Sequence, residues 1–141
     1  MTGVQTCALP IFGDLREVHR LVAEGNEDAK LALDVYVHRI VGYIGNYTAQ
    51  MGGVDVITFT AGVGENDDVV RKMVCDKLAP FGVKLDEEKN ATRSKEPRII
   101  STPDSKITIC VIPTNEELAI ARKSAAIAEA GEDTYGNVFS K

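Results

Sequence analysis

Residues 58–66, Thr-Phe-Thr-Ala-Gly-Val-Gly-Glu-Asn, restrict this chain more than any other stretch. They follow a strand-like segment at 54–57 (Val-Asp-Val-Ile) and precede a helix-like one at 68–74 (Asp-Val-Val-Arg-Lys-Met-Val). A strand that feeds a small-residue turn and then a helix commits this part of the chain to an α/β unit and is a common way to build a nucleotide site. Two glycines let the backbone take positive φ, and without a Cβ a ligand can lie against the chain. The helix start adds free N–H groups. The third glycine of a dinucleotide fingerprint and the Gly-Lys-Ser/Thr ending of a Walker-type loop are both missing. Gly62-Val63-Gly64 therefore reads either as an ordinary tight connection or as the floor of a ligand site. Glu65, Asp67 and Asp68 suit a helix dipole but repel phosphate. A nucleotide here would touch the loop through its adenosine end.

The 141 residues are enough for one domain with a core, and 44% hydrophobic with 26% charged residues is the usual balance of a soluble globular protein. A net charge of −5 argues against nucleic acid as a partner. No apolar run reaches membrane-spanning length, so no membrane role is expected. Cys7, Cys75 and Cys110 are odd in number and widely spaced. They suggest neither a disulfide framework nor a zinc site, and point to a reducing cytoplasm. His19 and His38 read as isolated surface or helix-face residues.

Residues 1–12 fit neither a signal peptide nor a capped helix, and residues 3–11 resemble translated sequencing-adapter sequence. This segment is expected to be non-native, and Cys7 is kept out of any site. Residues 14–24 have helical periodicity through Leu15, Val18, Leu21 and Val22, with Gly25 as the stop. Asn26 caps a second helix running to about Gln50, whose core stripe is Ala29, Leu33, Tyr36, Val37, Ile40, Ile44 and Tyr47. Leu31, Val35 and Val41 widen the stripe, and Gly42 and Gly45 would permit a close helix contact. Residues 55–60 read as a buried strand, residues 62–66 as a loop, and the next helix ends at about Leu78 before Pro80-Phe81-Gly82. A short extended piece (83–85), a polar turn or short helix (86–92), and a hairpin from 97–101 into 107–112 follow. The β-branched run Ile-Thr-Ile-Cys-Val-Ile at 107–112 has the character of a central strand. A helix from 115 to about 130 precedes a polar tail at 131–141. The order predicts an α/β fold with a mixed sheet flanked by helices.

Thr114 and Glu117 have the spacing of a capping box for the last helix. That leaves Glu116 free at a strand's carboxyl end, where one or two carboxylates can hold Mg²⁺ alongside phosphate oxygens and water. At the other end, Asp14-Leu15-Arg16 can cap a helix while the arginine reaches a phosphate, sugar hydroxyl or carboxylate.

These segments, in this order, resemble acetate kinase. The pieces are Asp14-Leu15-Arg16; residues 24–35 (Glu-Gly-Asn-Glu-Asp-Ala-Lys-Leu-Ala-Leu-Asp-Val); 59–66 (Phe-Thr-Ala-Gly-Val-Gly-Glu-Asn); 81–86; 101–105; and 111–121 (Val-Ile-Pro-Thr-Asn-Glu-Glu-Leu-Ala-Ile-Ala). Their succession from about residue 13 to about residue 130 is highly specific. The resemblance implies a ribonuclease H-like fold of the acetate and sugar kinase, Hsp70 and actin class, present here in part. It implies phosphoryl transfer between ATP and acetate, giving ADP and acetyl phosphate with Mg²⁺, by an enzyme that is a homodimer when complete. It places nucleotide contacts on Asp14, Leu15, Arg16, Gly62, Val63, Gly64, Glu65 and Asn66, and the metal-site glutamate on Glu116. Gly13 stands where the family has serine. The family's catalytic aspartate, its acetate- and phosphoryl-binding arginines and histidine, and the asparagine of its metal site have no counterpart. The chain is therefore expected to be a truncated C-terminal fragment, residues 13–130 supplying part of the nucleotide domain, with no turnover of its own. Propionate and butyrate kinases are alternatives within the family. Outside it, the alternative is a non-catalytic nucleotide-binding or interaction module.

Overall fold

The structure, a computed structural model, describes residues 14–130; the segment at 1–12, residue 13 and the tail at 131–141 lie outside the described residues. The helix pair comes first: α1 (Leu15–Ala23) and α2 (Glu27–Met51). Asp14 and Asn26 cap them by accepting from Arg16 N and Ala29 N, and Gly25 turns the chain between them at a left-handed φ of 84°. β1 (Val56–Phe59), α3 (Ala61–Asn66) and α4 (Asp68–Leu78) follow, then a 3₁₀ turn (Ala79–Phe81) and α5 (Glu87–Ala91). β2 (Arg98–Ile99), β3 (Thr108–Val111) and α6 (Glu116–Ala130) complete the order.

The sheet order is β1-β3-β2, with β3 central, parallel to β1 and antiparallel to β2. Leu85 extends the antiparallel side through a bridge to Ser101. The sheet is thus mixed, as the sequence predicts, and the 107–112 run takes the central place through its residues 108–111. The core gathers Val18 of α1, Ala29, Leu33 and Val37 of α2, Val70, Val74 and Leu78 of α4, and Ile109 and Val111 of β3.

Three expectations are corrected. β1 is not buried: Val56 is 52% exposed, and among the described residues the strand pairs only with β3. The α2 stripe is narrower than expected. Ala29, Leu33 and Val37 are buried and Ile40, Val41 and Ile44 half-buried, but Leu31, Val35, Tyr36 and Tyr47 are exposed. Only the face toward α1 and α4 is covered among the described residues. A Cβ at Gly42 or Gly45 would have nothing within 4 Å, so no close helix contact uses them among the described residues.

Candidate functional site: an open cleft between the α1 start and the α3–α4 corner

The segment 61–66 is a helix, not the loop the sequence suggests. The positive φ belongs to Ala61 (60°), and neither Gly62 nor Gly64 uses one. Gly64 is required for another reason. A Cβ there would stand 3.1 Å from the backbone carbon of Phe59, so glycine lets α3 fold back onto the end of its own strand. Gly62 has open space where a Cβ would point.

A short glycine-rich helix has little intrinsic stability, and Arg71 supplies what it lacks. This side chain is 2% exposed. Its Nη1 donates to Gly64 O and Glu65 O, both at 2.9 Å, which satisfies carbonyls in the last turn of α3. Its Nε and Nη2 donate to Asn90 Oδ1 at 2.8 Å and Asn90 O at 2.7 Å. Asn90 in turn donates to Asp68 O at 2.9 Å. Burial pulls the guanidinium pKa down from its usual value, and Asp67 and Asp68 oppose that pull. The sequence alone gives Arg71 no role and marks residues 86–92 only as a polar turn or short helix. Glu87, Glu88 and Lys89 are exposed, but Asn90 is buried. The available signal was position: Arg71 lies three, four and seven residues before Val74, Cys75 and Leu78, within the buried stripe of α4.

Asp67 joins α3 to α4. Its N–H donates to Val63 O, and its Oδ1 caps α4 by accepting from Val70 N at 2.9 Å. Its Oδ2 accepts from His19 Nε2 of α1 at 2.7 Å, so His19 is not the isolated residue expected.

Between these elements lies an open cleft of about 1020 Å³. Its lining includes Asp14, Leu15 and Arg16 at the α1 start, Gly62, Val63 and Asn66 of α3, and Ala32 and Tyr36 of α2. Two motifs some fifty residues apart thus face one space. Gly64 and Glu65 do not line it. Arg16 is exposed and bonds back to Asp14. Its Nε lies 3.0 Å from both oxygens of Asp14, and its Nη2 is 2.6 Å from Oδ2. That bond holds the Asp14 carboxyl down at about 2. Arg93 lines the same cleft.

Glu65 faces the other way. Its Oε1 accepts from Thr114 N at 2.7 Å and from Thr114 Oγ1 at 2.9 Å, tying α3 to the segment after β3. The Thr114 N–H is the chief reason its carboxyl sits below the usual glutamate value. The expected Thr114/Glu117 capping box is therefore not formed. Asn115 is the cap, its Oδ1 accepting from Leu118 N at 3.0 Å, and Glu117 falls at the second helical position. Thr114 cannot serve both partners, and Glu65 takes it. Glu116 opens α6, is exposed, and makes no ion pair among the described residues. It does not line the cleft. Among the described residues no group of three His, Cys, Asp or Glu side chains could hold a metal. A single free carboxylate still fits Mg²⁺, which takes one or two such ligands and completes its octahedron with phosphate and water.

Three solved structures have this α/β arrangement, a mixed sheet flanked by helices as in the acetate and sugar kinase, Hsp70 and actin class. Porphyromonas gingivalis acetate kinase matches with a TM-score of 0.71 and 43% identity over 82% of this chain and 29% of its own. Entamoeba histolytica acetate kinase matches with 0.74 and 32% over 79% and 29%, and a Francisella tularensis propionate kinase with 0.69 and 39% over 78% and 28%. The acetokinase family model covers residues 3–122, and the acetate kinase of Desulfotalea psychrophila is 56% identical over 119 residues. The chain belongs to the acetokinase family. It spans about 29% of the length of that relative and of the Oleidesulfovibrio alaskensis acetate kinase, 52% identical over 116 residues.

Proposed function

We propose that this chain is the C-terminal nucleotide-binding part of an acetate kinase, which moves a phosphoryl group between ATP and acetate to give ADP and acetyl phosphate. The observation that carries the reading is the cleft itself. Asp14-Leu15-Arg16 and Gly62, Val63 and Asn66 of the second motif, distant in sequence, line it together. Its walls are mainly apolar and backbone, with Leu15, Val63 and Tyr36 suited to an adenine face, and Asn66 and Arg16 to ribose hydroxyls. Asp67 and Asp68 at the α4 start disfavour phosphate in the depth of the cleft, so the phosphates would leave along its rim. Gly64 and Glu65 would act from outside the lining, the first by letting α3 close on β1, the second by holding Thr114. Glu116 would hold Mg²⁺, which when bound neutralises charge on the phosphate oxygens. The complete enzyme would be a cytoplasmic homodimer.

The test uses the longer enzyme that carries this segment. With ATP, acetate and Mg²⁺, hydroxylamine should trap acetyl phosphate as the hydroxamate. Glu116→Ala should raise the Mg²⁺ needed for half-maximal rate while leaving the thermal midpoint unchanged. Faster product formation with propionate would reassign the acyl substrate, a reading favoured by the likeness to a propionate kinase. Failure with every short carboxylate would overturn the proposal.

A further inference from the structure

Among the described residues, one hydrogen bond alone joins residues 14–25 to the α3–α4 corner: His19 Nε2 to Asp67 Oδ2, at 2.7 Å and across 48 positions of sequence. Every other bond of α1 and its caps is local. Elsewhere α1 is held by apolar packing of Val18 and its neighbours against the core. Packing of that kind fixes a helix's distance from the core but resists sliding and rotation weakly, since it has no directional partner. The His19–Asp67 bond is directional, and it sits at the cleft. Both side chains line it, and both are largely buried, at 26% and 13% exposure. Asp67 is itself held from two sides, by its N–H on Val63 O and its Oδ1 on Val70 N. The bond therefore anchors α1 to a rigid point at the end of α3. The same helix carries Asp14-Leu15-Arg16 on its first turn, so its position sets the width of the cleft.

We propose that His19 and Asp67 form a positioning couple that sets the separation of the two nucleotide-binding walls. This rests on the cleft being the adenosine site. An acceptor-only carboxylate requires Nε2 to be the donor, so the couple works with neutral or protonated imidazole alike. A glutamine amide nitrogen can stand where Nε2 does.

The experiment is steady-state kinetics on the longer enzyme. His19→Ala and Asp67→Ser each remove the bond, and serine keeps the α4 cap. Each should raise KM for ATP about five- to tenfold, with kcat and KM for the acyl substrate within about twofold. The double variant should be no worse than the worse single one, because one interaction is lost in all three. His19→Gln should restore KM for ATP to within about twofold of the parent. Additive losses, equal rises in both KM values, or no rescue by glutamine would overturn the couple. Ala32→Phe, which adds bulk to the cleft lining, separates the two claims. If it raises KM for ATP and His19→Ala does not, the couple fails and the nucleotide site stands. If Ala32→Phe leaves KM for ATP unchanged, both fail.

Discussion

The two corners beyond the sheet's carboxyl edge are built differently. The α3–α4 corner closes around a buried cation: four hydrogen bonds from Arg71 to Gly64, Glu65 and Asn90 hold a six-residue helix that propensity alone would not keep. The α6 corner is fixed only at its root, by Thr114 on Glu65 and by the Asn115 cap. Beyond that root Leu118 and Ile120 are 42% and 65% exposed. One wall of the cleft proposed for adenosine is thus preorganised by the chain's own polar core. The glutamate proposed for Mg²⁺ is placed on a helix with almost no packing of its own among the described residues. Binding of the nucleoside and placement of the metal should accordingly respond to different substitutions.

The largest effect should come from breaking the stronger corner. Arg71→Ala leaves three backbone carbonyls and one side-chain oxygen without their donors, and should cost about 3 kcal/mol or more. It is read as a fall in the thermal midpoint of the longer enzyme with loss of adenine-nucleotide binding. A midpoint within a degree of the parent would show that the clamp is not what holds α3.

The two glycines sharpen the comparison. Gly64→Ala forces a Cβ to 3.1 Å from Phe59 backbone and should cost about 1–3 kcal/mol. Gly62→Val meets open space and should cost little stability, but it narrows the cleft and should raise KM for ATP. Urea midpoints and KM values measured on both variants decide it; a reversed pattern would place the ligand behind the α3 wall.

At the α6 corner the effects are smaller. Asn115→Ala should cost about 1 kcal/mol as a lost cap. Glu117→Ala should stay within about 0.5 kcal/mol, since the capping box is absent. Equal losses would restore the box. Smallest is the pH response of the tether. Glu65 is depressed below the usual glutamate value, so its contribution is fully present above that value and disappears as pH falls through its lower folded value. Glu65→Gln should remove this part of the acid-side slope in midpoint against pH, and an unchanged slope would remove Glu65 from the tether.

Elements that depend on neighbours in sequence were legible. Asp14 and Asn26 cap as their side chains predict, Gly25 ends α1, and the β-branched 107–112 run lies at the sheet's centre. The order of the motifs pointed to the family, and to its class of fold with it. What sequence reading missed depends on distant partners. Residues 61–66 read as a loop because two glycines in six weaken a helix, and the guanidinium that rescues it lies on the next element. Thr114 was assigned to a cap by spacing, while Glu65, 49 residues away, competes for the same N–H. His19 looked solitary because its acceptor is 48 positions off. Val56 looked buried because apolar strand character does not say which strand ends a sheet.

The central claim is that the Asp14–Arg16 turn and the Gly62–Asn66 helix are two sides of one adenosine site. A structure of the longer enzyme with ADP and Mg²⁺ tests it most directly. The account predicts adenine between Leu15 and Val63, with the phosphates leading away from Asp67 and Asp68. A nucleotide seated elsewhere, with this cleft filled by solvent alone, would contradict it.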